Sequence, residues 1–353
     1  MSTKKNCAYL DEYIPVVDVQ HIVLGYLYDW QEKENVYSSQ QATKALAFSS
    51  DGQFFAAGSE SGELKLWAYK DNSYKLIEER VFDAQINSVA FSPNGFRIAV
   101  GVENNFIYIL SEIQEKKLAL FEKVKADSSV YSVLFSPEGK YLAAVSTDKI
   151  VKIWQQTAPG FVFRQKLSPD PKTKYISIAF APEGNLLAAG RGNKTIEIWQ
   201  YTNLKFKLIQ TLSGHNNHVR SLAFSPDGSY LASASYDRAL KLWELQGELF
   251  SHVQTVDAHM GAIYQIAFYA DGKCIALSSN DGTVKMIEFE NNNVKFTKTI
   301  QTNDFGPIAI SSNKAYLAFC FNKFFIKFYK NSCNELLTKQ KANGKLREII
   351  IYE

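Results

Sequence analysis

The segment from residue 212 to 243 carries residue types that can perform acyl-transfer chemistry. Its histidines, serines and aspartates include His215, Ser233, Ser235 and Asp237. A hydrolase uses such residues as its base, its nucleophile and its orienting acid. A catalytic site is normally built only once in a chain, so its interpretation depends on whether the segment is unique.

The segment is one of seven copies of a repeat. Aligned without gaps inside the unit, the copies cover residues 43–67, 86–110, 130–154, 175–199, 219–243, 263–287 and 305–329. The ends of successive copies lie 42 to 45 residues apart. Self-similarity at a fixed period of this length indicates one supersecondary unit used many times, which is typical of a structural device.

Each copy predicts three short strands. In the fifth copy, VRSLAF is an apolar strand, SPDG places Pro and Gly at turn positions, and YLASAS and ALKLW follow as strands. The connectors between copies add a fourth, more polar strand, such as FKLIQTL before the fifth copy. Strands that are apolar on both sides need cover on both faces, and radially packed four-stranded sheets provide it.

These repeats resemble those of the WD40 β-propeller family. A repeat of that family ideally carries Gly-His before the first strand, Ser or Thr in the second strand, Asp in the following turn and Trp in the third strand. The fifth copy has all of these residues, as Gly214, His215, Ser233 or Ser235, Asp237 and Trp243. Elsewhere the pattern decays, and the Trp-Asp dipeptide never ends a third strand.

The resemblance implies a structural role for the histidine, serine and aspartate. In the family arrangement the indole of Trp243 donates to the serine, the serine to His215, and His215 to Asp237, which satisfies buried polar groups. Repeat positions also account for Asp148, His259 and Asp281, and nothing suggests an oxyanion hole or a strained nucleophile elbow. We therefore predict a hydrogen-bonded clamp and no catalytic residue.

Composition limits the class of protein. The chain is 46% hydrophobic and 21% charged with a net charge of +3, as in ordinary globular proteins. No apolar run approaches the roughly 20 residues of a spanning helix, and the first residues lack a secretory signal's apolar core. The four cysteines, Cys7, Cys274, Cys320 and Cys333, have no metal-ligand spacing. We expect a cytoplasmic or nuclear protein with no membrane insertion, no metal and no cofactor.

The chain ends determine how the ring of blades closes. We expect a single propeller in which residues 1–42 supply closing strands, 43–329 form seven repeats, and 330–353 supply the last outer strand and a C-terminal closing strand. Joining the N-terminal segments to the C-terminal strand gives a composite eighth blade. Eight blades use every strand-like segment and are favoured here. The alternative is seven blades, the last completed by an N-terminal strand.

Function must be argued separately from fold, because propellers host many activities. The leading hypothesis is a non-catalytic scaffold in a multi-protein complex, binding protein partners or peptides on its faces and no small-molecule substrate. One alternative is RNA or anionic-ligand binding through a basic face of repeats four and five, supported only by the mild net charge. An enzyme is a third class, for which the sequence offers no convergent set of acids and histidines.

A candidate binding surface follows from the implied fold, in which second-to-third-strand turns and the connectors into first strands share one face. Basic and aromatic residues cluster there in repeats four and five: Lys172, Lys174, Tyr175, Arg191, Lys194, His218, Tyr236 and Arg238. Arg and Tyr are enriched at interface hot spots, and Arg suits carboxylate or phosphate. We predict that this patch binds an acidic or phosphorylated peptide, with Arg191 and Arg238 as anchors and Tyr236 beside them. The alternative is a solvated basic rim without a partner.

Overall fold

The computed structural model describes residues 30–331, with gaps at 114–116, 169, 171, 270–271, 291–292, 303–304, 312–315 and 322–324. The described residues form seven four-stranded antiparallel sheets and no helix. Accordingly, this part of the chain has no helix of the length and apolarity that crossing a membrane requires. We call the sheets blades one to seven, in the chain order of their innermost strands.

In blades one to six, four consecutive strands run from the innermost to the outermost position. Blade one contains β2 (Thr43–Phe48), β3 (Phe54–Ser59), β4 (Glu63–Lys70) and β5 (Ser73–Val81). Blade two contains β6 (Ile86–Phe91), β7 (Arg97–Val102), β8 (Phe106–Ile113) and β9 (Lys117–Lys125). Blade three contains β10 (Val130–Phe135), β11 (Tyr141–Ser146), β12 (Val151–Gln156) and β13 (Phe161–Leu167).

The remaining blades follow the same plan up to the last. Blade four contains β14 (Tyr175–Phe180), β15 (Leu186–Arg191), β16 (Ile196–Thr202) and β17 (Lys205–Leu212). Blade five contains β18 (Val219–Phe224), β19 (Tyr230–Ser235), β20 (Ala239–Gln246) and β21 (Leu249–Asp257). Blade six contains β22 (Ile263–Phe268), β23 (Cys274–Ser279), β24 (Thr283–Glu290) and β25 (Asn293–Gln301). Blade seven contains β26 (Ile308–Ile310), β27 (Tyr316–Phe321) and β28 (Phe325–Asn331), with β1 (Trp30–Tyr37) outermost.

The blades close into a ring, which makes the molecule a β-propeller. Each innermost strand contacts the innermost strand of the next blade, and β26 of blade seven contacts β2 of blade one. Apolar side chains fill the space between neighbouring blades; Tyr141 and Ile153 of blade three, for example, share a cluster with Ile178 and Leu187 of blade four. This packing covers both faces of each sheet, as the apolar strands require.

Seven blades are present, and the expectation of eight was wrong. Strand β1 pairs antiparallel with β28, from Trp30 opposite Asn331 to Tyr37 opposite Phe325. The outer position of blade seven is therefore occupied, and its inner strand already contacts blade one, so the ring leaves no place for an eighth blade. The other segments assigned to closure, at 12–18, 21–29, 335–340 and 345–353, lie outside the described residues.

Side chains fix the spacing between blades at the centre and at the rim. At the centre, Val133 N donates to Ser88 Oγ at 3.0 Å, which links the inner strands of blades two and three. At the rim, the Gln165 amide donates to Phe206 O at 2.8 Å and accepts from Phe206 N at 2.9 Å, which links blades three and four. These bonds hold the loops of neighbouring blades in a fixed relation.

Candidate partner-binding face

One face of the ring carries the loops named in the sequence analysis. The turn between the second and third strands and the connector into the first strand are hydrogen-bonded to each other: Gly192 N donates to Lys174 O at 2.9 Å in blade four, and Tyr236 N to His218 O at 3.1 Å in blade five. We call this surface the connector face. The turns between first and second strands emerge on the opposite face.

In blade five the connector and the turn are joined by a buried hydrogen-bond chain. Trp243 Nε1 donates to Ser233 Oγ at 2.8 Å, and Ser233 Oγ lies 2.8 Å from His215 Nε2. His215 Nδ1 lies 2.9 Å from Asp237 Oδ2. Ser233 is fully buried, so its hydroxyl cannot reach a substrate, and the arrangement has the geometry of a clamp. Ser235 is not part of this hydrogen-bond chain; its hydroxyl donates to Asn217 O at 3.1 Å.

Asp237 carries the charge of this chain. Burial raises the pKa of Asp237, whereas hydrogen bonds from His215 and from the backbone of Asn216 and Ala239 lower it. The hydrogen bonds together outweigh burial, so the pKa lies below the usual aspartate value. Asn216 N donates to Asp237 Oδ2 at 2.7 Å and Ala239 N to Asp237 Oδ1 at 3.0 Å. The ionised carboxylate thus ties the connector and the turn together.

Blade six keeps only the histidine and the aspartate of this hydrogen-bond chain. His259 Nδ1 lies 3.0 Å from Asp281 Oδ2, but Leu277 and Ile287 stand where blade five has Ser233 and Trp243. The Nε2 atom of His259 is consequently buried with no hydrogen-bond partner among the described residues. Burial lowers the pKa of His259, because a charged imidazole is poorly solvated there.

Blade four replaces the clamp with charged groups, and the assignment of Arg191 and Tyr175 to an exposed binding surface was wrong. Arg191 is 4% exposed and Tyr175 is fully buried. Arg191 Nη1 lies 2.5 Å from Glu197 Oε1, and the Tyr175 hydroxyl donates to the same carboxylate. Burial and the adjacent Glu197 raise the pKa of Tyr175. A buried carboxylate on the next strand therefore draws both side chains inward.

Arg191 also holds the connector that precedes blade four. Its Nη2 atom donates to Asp170 O at 2.8 Å and lies 3.1 Å from Asp170 Oδ2. The adjacent Thr173 hydroxyl donates to Asp170 Oδ2 at 3.1 Å. This ordered connector carries Lys172 and Lys174 outward, so Arg191 supports the basic surface from beneath.

The other predicted binding residues are accessible. Exposed side chains in blades four and five are those of Lys172, Lys174, Lys194, Tyr236 and Arg238. His218 is half-buried, and its ring stacks on Tyr236 with centroids 5.9 Å apart. Lys149, on the neighbouring turn of blade three, is exposed as well, and its Nζ atom donates to Lys172 O at 3.4 Å. We call Lys149, Lys172, Lys174, Lys194 and Arg238 the basic patch.

The side chains at the mouth of the central channel are not among the residues that the sequence predicted for a site. The Arg220 guanidinium lies 4.4 Å from the ring centroid of Tyr264, whose ring is 5.3 Å from that of Phe305. Arg220 and Tyr264 occupy the second position of successive inner strands, where side chains line the channel. A comparison of that single position across the repeats would have found both residues.

The described residues hold no cluster that could bind a metal ion. Within the part of the chain that the structure describes, no three His, Cys, Asp or Glu side chains come close enough to hold an ion. His215 and Asp237 are already engaged in the clamp. The exposed groups described above for the connector face are cations and an aromatic ring.

Comparisons with known proteins agree with the repeat pattern. A family model described as "WD domain, G-beta repeat" matches five segments that together make up just over half of the chain, at residues 33–68, 120–155, 165–200, 206–244 and 250–288. A solved structure, "Crystal structure of Myceliophteria_thermophila Cps50 (Swd1) beta-propeller domain", aligns with a TM-score of 0.74 at 16% identity. The alignment covers 85% of this chain and 99% of that one, and it shows a shared fold.

Curated proteins match over shorter stretches. The chain is 28% identical over 127 residues to "Small ribosomal subunit protein RACK1" of Schizosaccharomyces pombe, covering 34% of this chain and 40% of that protein. It is 29% identical over 152 residues to "Protein LST8 homolog" of Drosophila melanogaster, covering 38% and 47%. It is 25% identical over 143 residues to "Transcription factor unc-37" of Caenorhabditis elegans, covering 40% and 22%. The chain thus spans less than half the length of these relatives.

Proposed function

We propose that this chain, which belongs to the WD40 family of G-beta repeats, is a non-catalytic scaffold that binds an acidic segment of a protein partner on its connector face. Propellers of this family are typically protein-interaction scaffolds. The acidic or phosphorylated character of the partner is the part that this molecule's own surface supports, and a place in a multi-protein complex belongs to the proposal as well.

The basic patch carries the proposal. Its four lysines and Arg238 are exposed, and none has a carboxylate oxygen within 4 Å of its charged nitrogens among the described residues. Two other cations on the same face are compensated: Lys44 lies 2.5 Å from Glu60, and Lys152 lies 2.6 Å from Asp148. A local excess of positive charge attracts an acidic partner and speeds its association.

An aromatic side chain next to the patch can add specificity. Tyr236 is 39% exposed, and its stacking on His218 restricts its motion. A rigid tyrosine contributes large contact area at little entropic cost, as hot-spot residues do. We therefore assign Tyr236 the role of packing against the apolar portion of the bound segment.

Affinity purification of the tagged chain, followed by mass spectrometry, tests the proposal. A variant with Lys172→Glu, Lys174→Glu, Lys194→Glu and Arg238→Glu should lose the partners recovered by the wild type. The matched control carries Lys70→Glu, Lys75→Glu, Lys205→Glu and Lys207→Glu, which alter exposed lysines around hairpins on the opposite face. Both should keep the wild-type melting temperature, since exposed substitutions usually change stability by less than about 0.5 kcal/mol.

Equal recovery of partners by the two charge-reversed variants would contradict the proposal. RNA is the competing ligand for a basic surface, and nuclease treatment before purification separates the two. A protein partner should remain bound after the treatment. Capture that disappears with nuclease and falls steeply with salt would instead indicate binding to nucleic acid.

A further inference from the structure

The described residues that line the central channel carry charge of only one sign. The channel is a cavity of about 190 Å³, lined by the second to fourth residues of the inner strands of blades one to six. Two lining residues are cations, Lys44 and Arg220, and none of the lining residues is an acid. The remaining polar lining consists of serines, tyrosines, Asn87 and Gln265, which can donate hydrogen bonds.

Among the described residues, only one of these two cations has a carboxylate partner. Lys44 Nζ lies 2.5 Å from Glu60 Oε1. Arg220 is half-buried at the channel mouth, and no carboxylate of the described residues lies within 4 Å of its guanidinium nitrogens. A partly buried cation without a counter-ion is costly to desolvate, so an anion that enters the channel gains an interaction that the protein itself does not supply.

The surroundings of Arg220 orient its hydrogen-bond donors. Its guanidinium stacks on the Tyr264 ring at 4.4 Å, and Tyr264 is backed by Phe305 at 5.3 Å. Burial lowers the pKa of Arg220, but the neighbouring hydroxyls of Tyr264 and Tyr236 raise it, with a net rise. Stacking occupies one face of the planar group, and the hydroxyls of Tyr264 and Tyr236 hydrogen-bond it at its edge without supplying a negative charge. A guanidinium has more N–H donors than these two hydroxyls use, and the others can bond a carboxylate.

We propose that the channel mouth beside Arg220 binds one carboxylate of an acidic peptide. The proposal rests on the proposed function and names the deepest contact of that partner. The cavity is larger than the roughly 150 Å³ that accommodates a benzene-sized molecule, so an aspartate or glutamate side chain fits.

A carboxylate suits this site better than a phosphate group. Arg220 supplies one guanidinium whose charge no carboxylate of the described residues neutralises, and this matches the single charge and two oxygens of a carboxylate. A phosphate monoester carries close to two charges and three acceptor oxygens, and it would need a second cation. Lys44, the other cation of the lining, is already engaged by Glu60.

Binding of a fluorescein-labelled hexaglutamate peptide, measured by fluorescence anisotropy at low salt, tests the inference. Arg220→Gln should weaken binding about tenfold or more, the equivalent of about 1.4 kcal/mol for lost charge-assisted bonds. The matched control is Arg164→Gln, which removes the same charge from an exposed arginine on the outer strand of blade three and should leave affinity unchanged. A hexaglutamine peptide should bind weakly to all three proteins.

Arg220→Lys is a second variant, in case Arg220→Gln does not fold. It keeps the positive charge but lacks the guanidinium that forms two parallel bonds, so it should bind hexaglutamate with intermediate affinity. The inference is overturned if the wild type does not bind hexaglutamate or if Arg220→Gln binds it as Arg164→Gln does. It is also overturned if a hexaphosphoserine peptide shows the dependence on Arg220 that hexaglutamate lacks. Hexaglutamate binding that ignores Arg220, with partner capture still lost in the basic-patch variant, would leave the proposed function standing.

Discussion

Blades four and five solve the same structural problem in opposite ways. Both must tie a connector to a turn above a buried tryptophan. Blade five does so with a Trp-Ser-His hydrogen-bond chain that ends on Asp237, whereas blade four buries the pair of Arg191 and Glu197. Ala189 replaces the serine in blade four, and the indole nitrogen of Trp199 is left without a partner among the described residues. The fold therefore requires a link at this place but does not prescribe its chemistry.

The two solutions should differ most in what happens when one partner is removed. Glu197→Ala leaves the Arg191 guanidinium buried and uncompensated except for its contacts to the connector, and we expect a loss of about 3 to 5 kcal/mol in the free energy of unfolding. Denaturant titration followed by circular dichroism measures it. The double variant Arg191→Leu with Glu197→Leu removes both charges and should recover most of the loss. A loss below about 1 kcal/mol for Glu197→Ala would show that the charged pair of blade four is no more sensitive to loss of a partner than the hydrogen-bond chain of blade five.

Removing the histidine of the blade-five chain should cost less. His215→Ala leaves the Ser233 hydroxyl and part of the Asp237 carboxylate unsatisfied, and we expect a loss of about 1 to 3 kcal/mol. The matched variant is His259→Ala in blade six, where the histidine contacts Asp281 but leaves Nε2 unpaired, so a smaller loss is expected. Equal losses in the same unfolding assay, or no loss for His215→Ala, would show that the bonds through Ser233 and Trp243 add nothing to the free energy of unfolding.

The smallest expected effect is on the pH dependence of stability. Blade four should lose stability at alkaline pH and blade five at acid pH. The folded-state pKa of Tyr175 is raised above its ordinary value of 10.0, so its contribution is present below pH 10 and is lost as pH rises further. The folded-state pKa of Asp237 is lowered from 3.8, so its contribution is present above that pH and is lost as pH falls.

Melting temperatures of the wild type, Tyr175→Phe and Asp237→Asn across the pH range measure both effects. Tyr175→Phe should flatten the alkaline decline and leave the acid decline unchanged, and Asp237→Asn should do the reverse. Parallel curves for all three proteins would mean that neither group couples to folding.

The same contrast explains how far the sequence could be interpreted. The repeat period fixed the strands of the seven repeats, and the clamp of blade five could be predicted because its residues match a recurring pattern. The number of blades depended on which segment pairs with β28. A strand-like sequence predicts a strand but does not identify the strand with which it pairs. Arg191 looked exposed because a charged residue next to a turn usually is. Its burial depends on Glu197, six positions later and on a different strand.

The channel mouth shows a related limit. Arg220 and Tyr264 belong to different repeats and come together only because consecutive inner strands are neighbours in the ring. Their sequence separation gives no sign of contact until the blades are placed in order. Residues that a fold assembles across repeats are therefore harder to recognise than motifs contained within one.

Strand β1 also determines when the ring can be completed during synthesis. Lys327 Nζ lies 3.1 Å from Glu32 Oε2, although the two residues are 295 positions apart in the chain. Among the described strands, β1 is synthesised before all the others, yet its partner β28 is synthesised after them. Until then β1 has an unsatisfied hydrogen-bonding edge, and contacts this distant in sequence form slowly. The nascent chain is therefore most prone to aggregation just before its last blade is made.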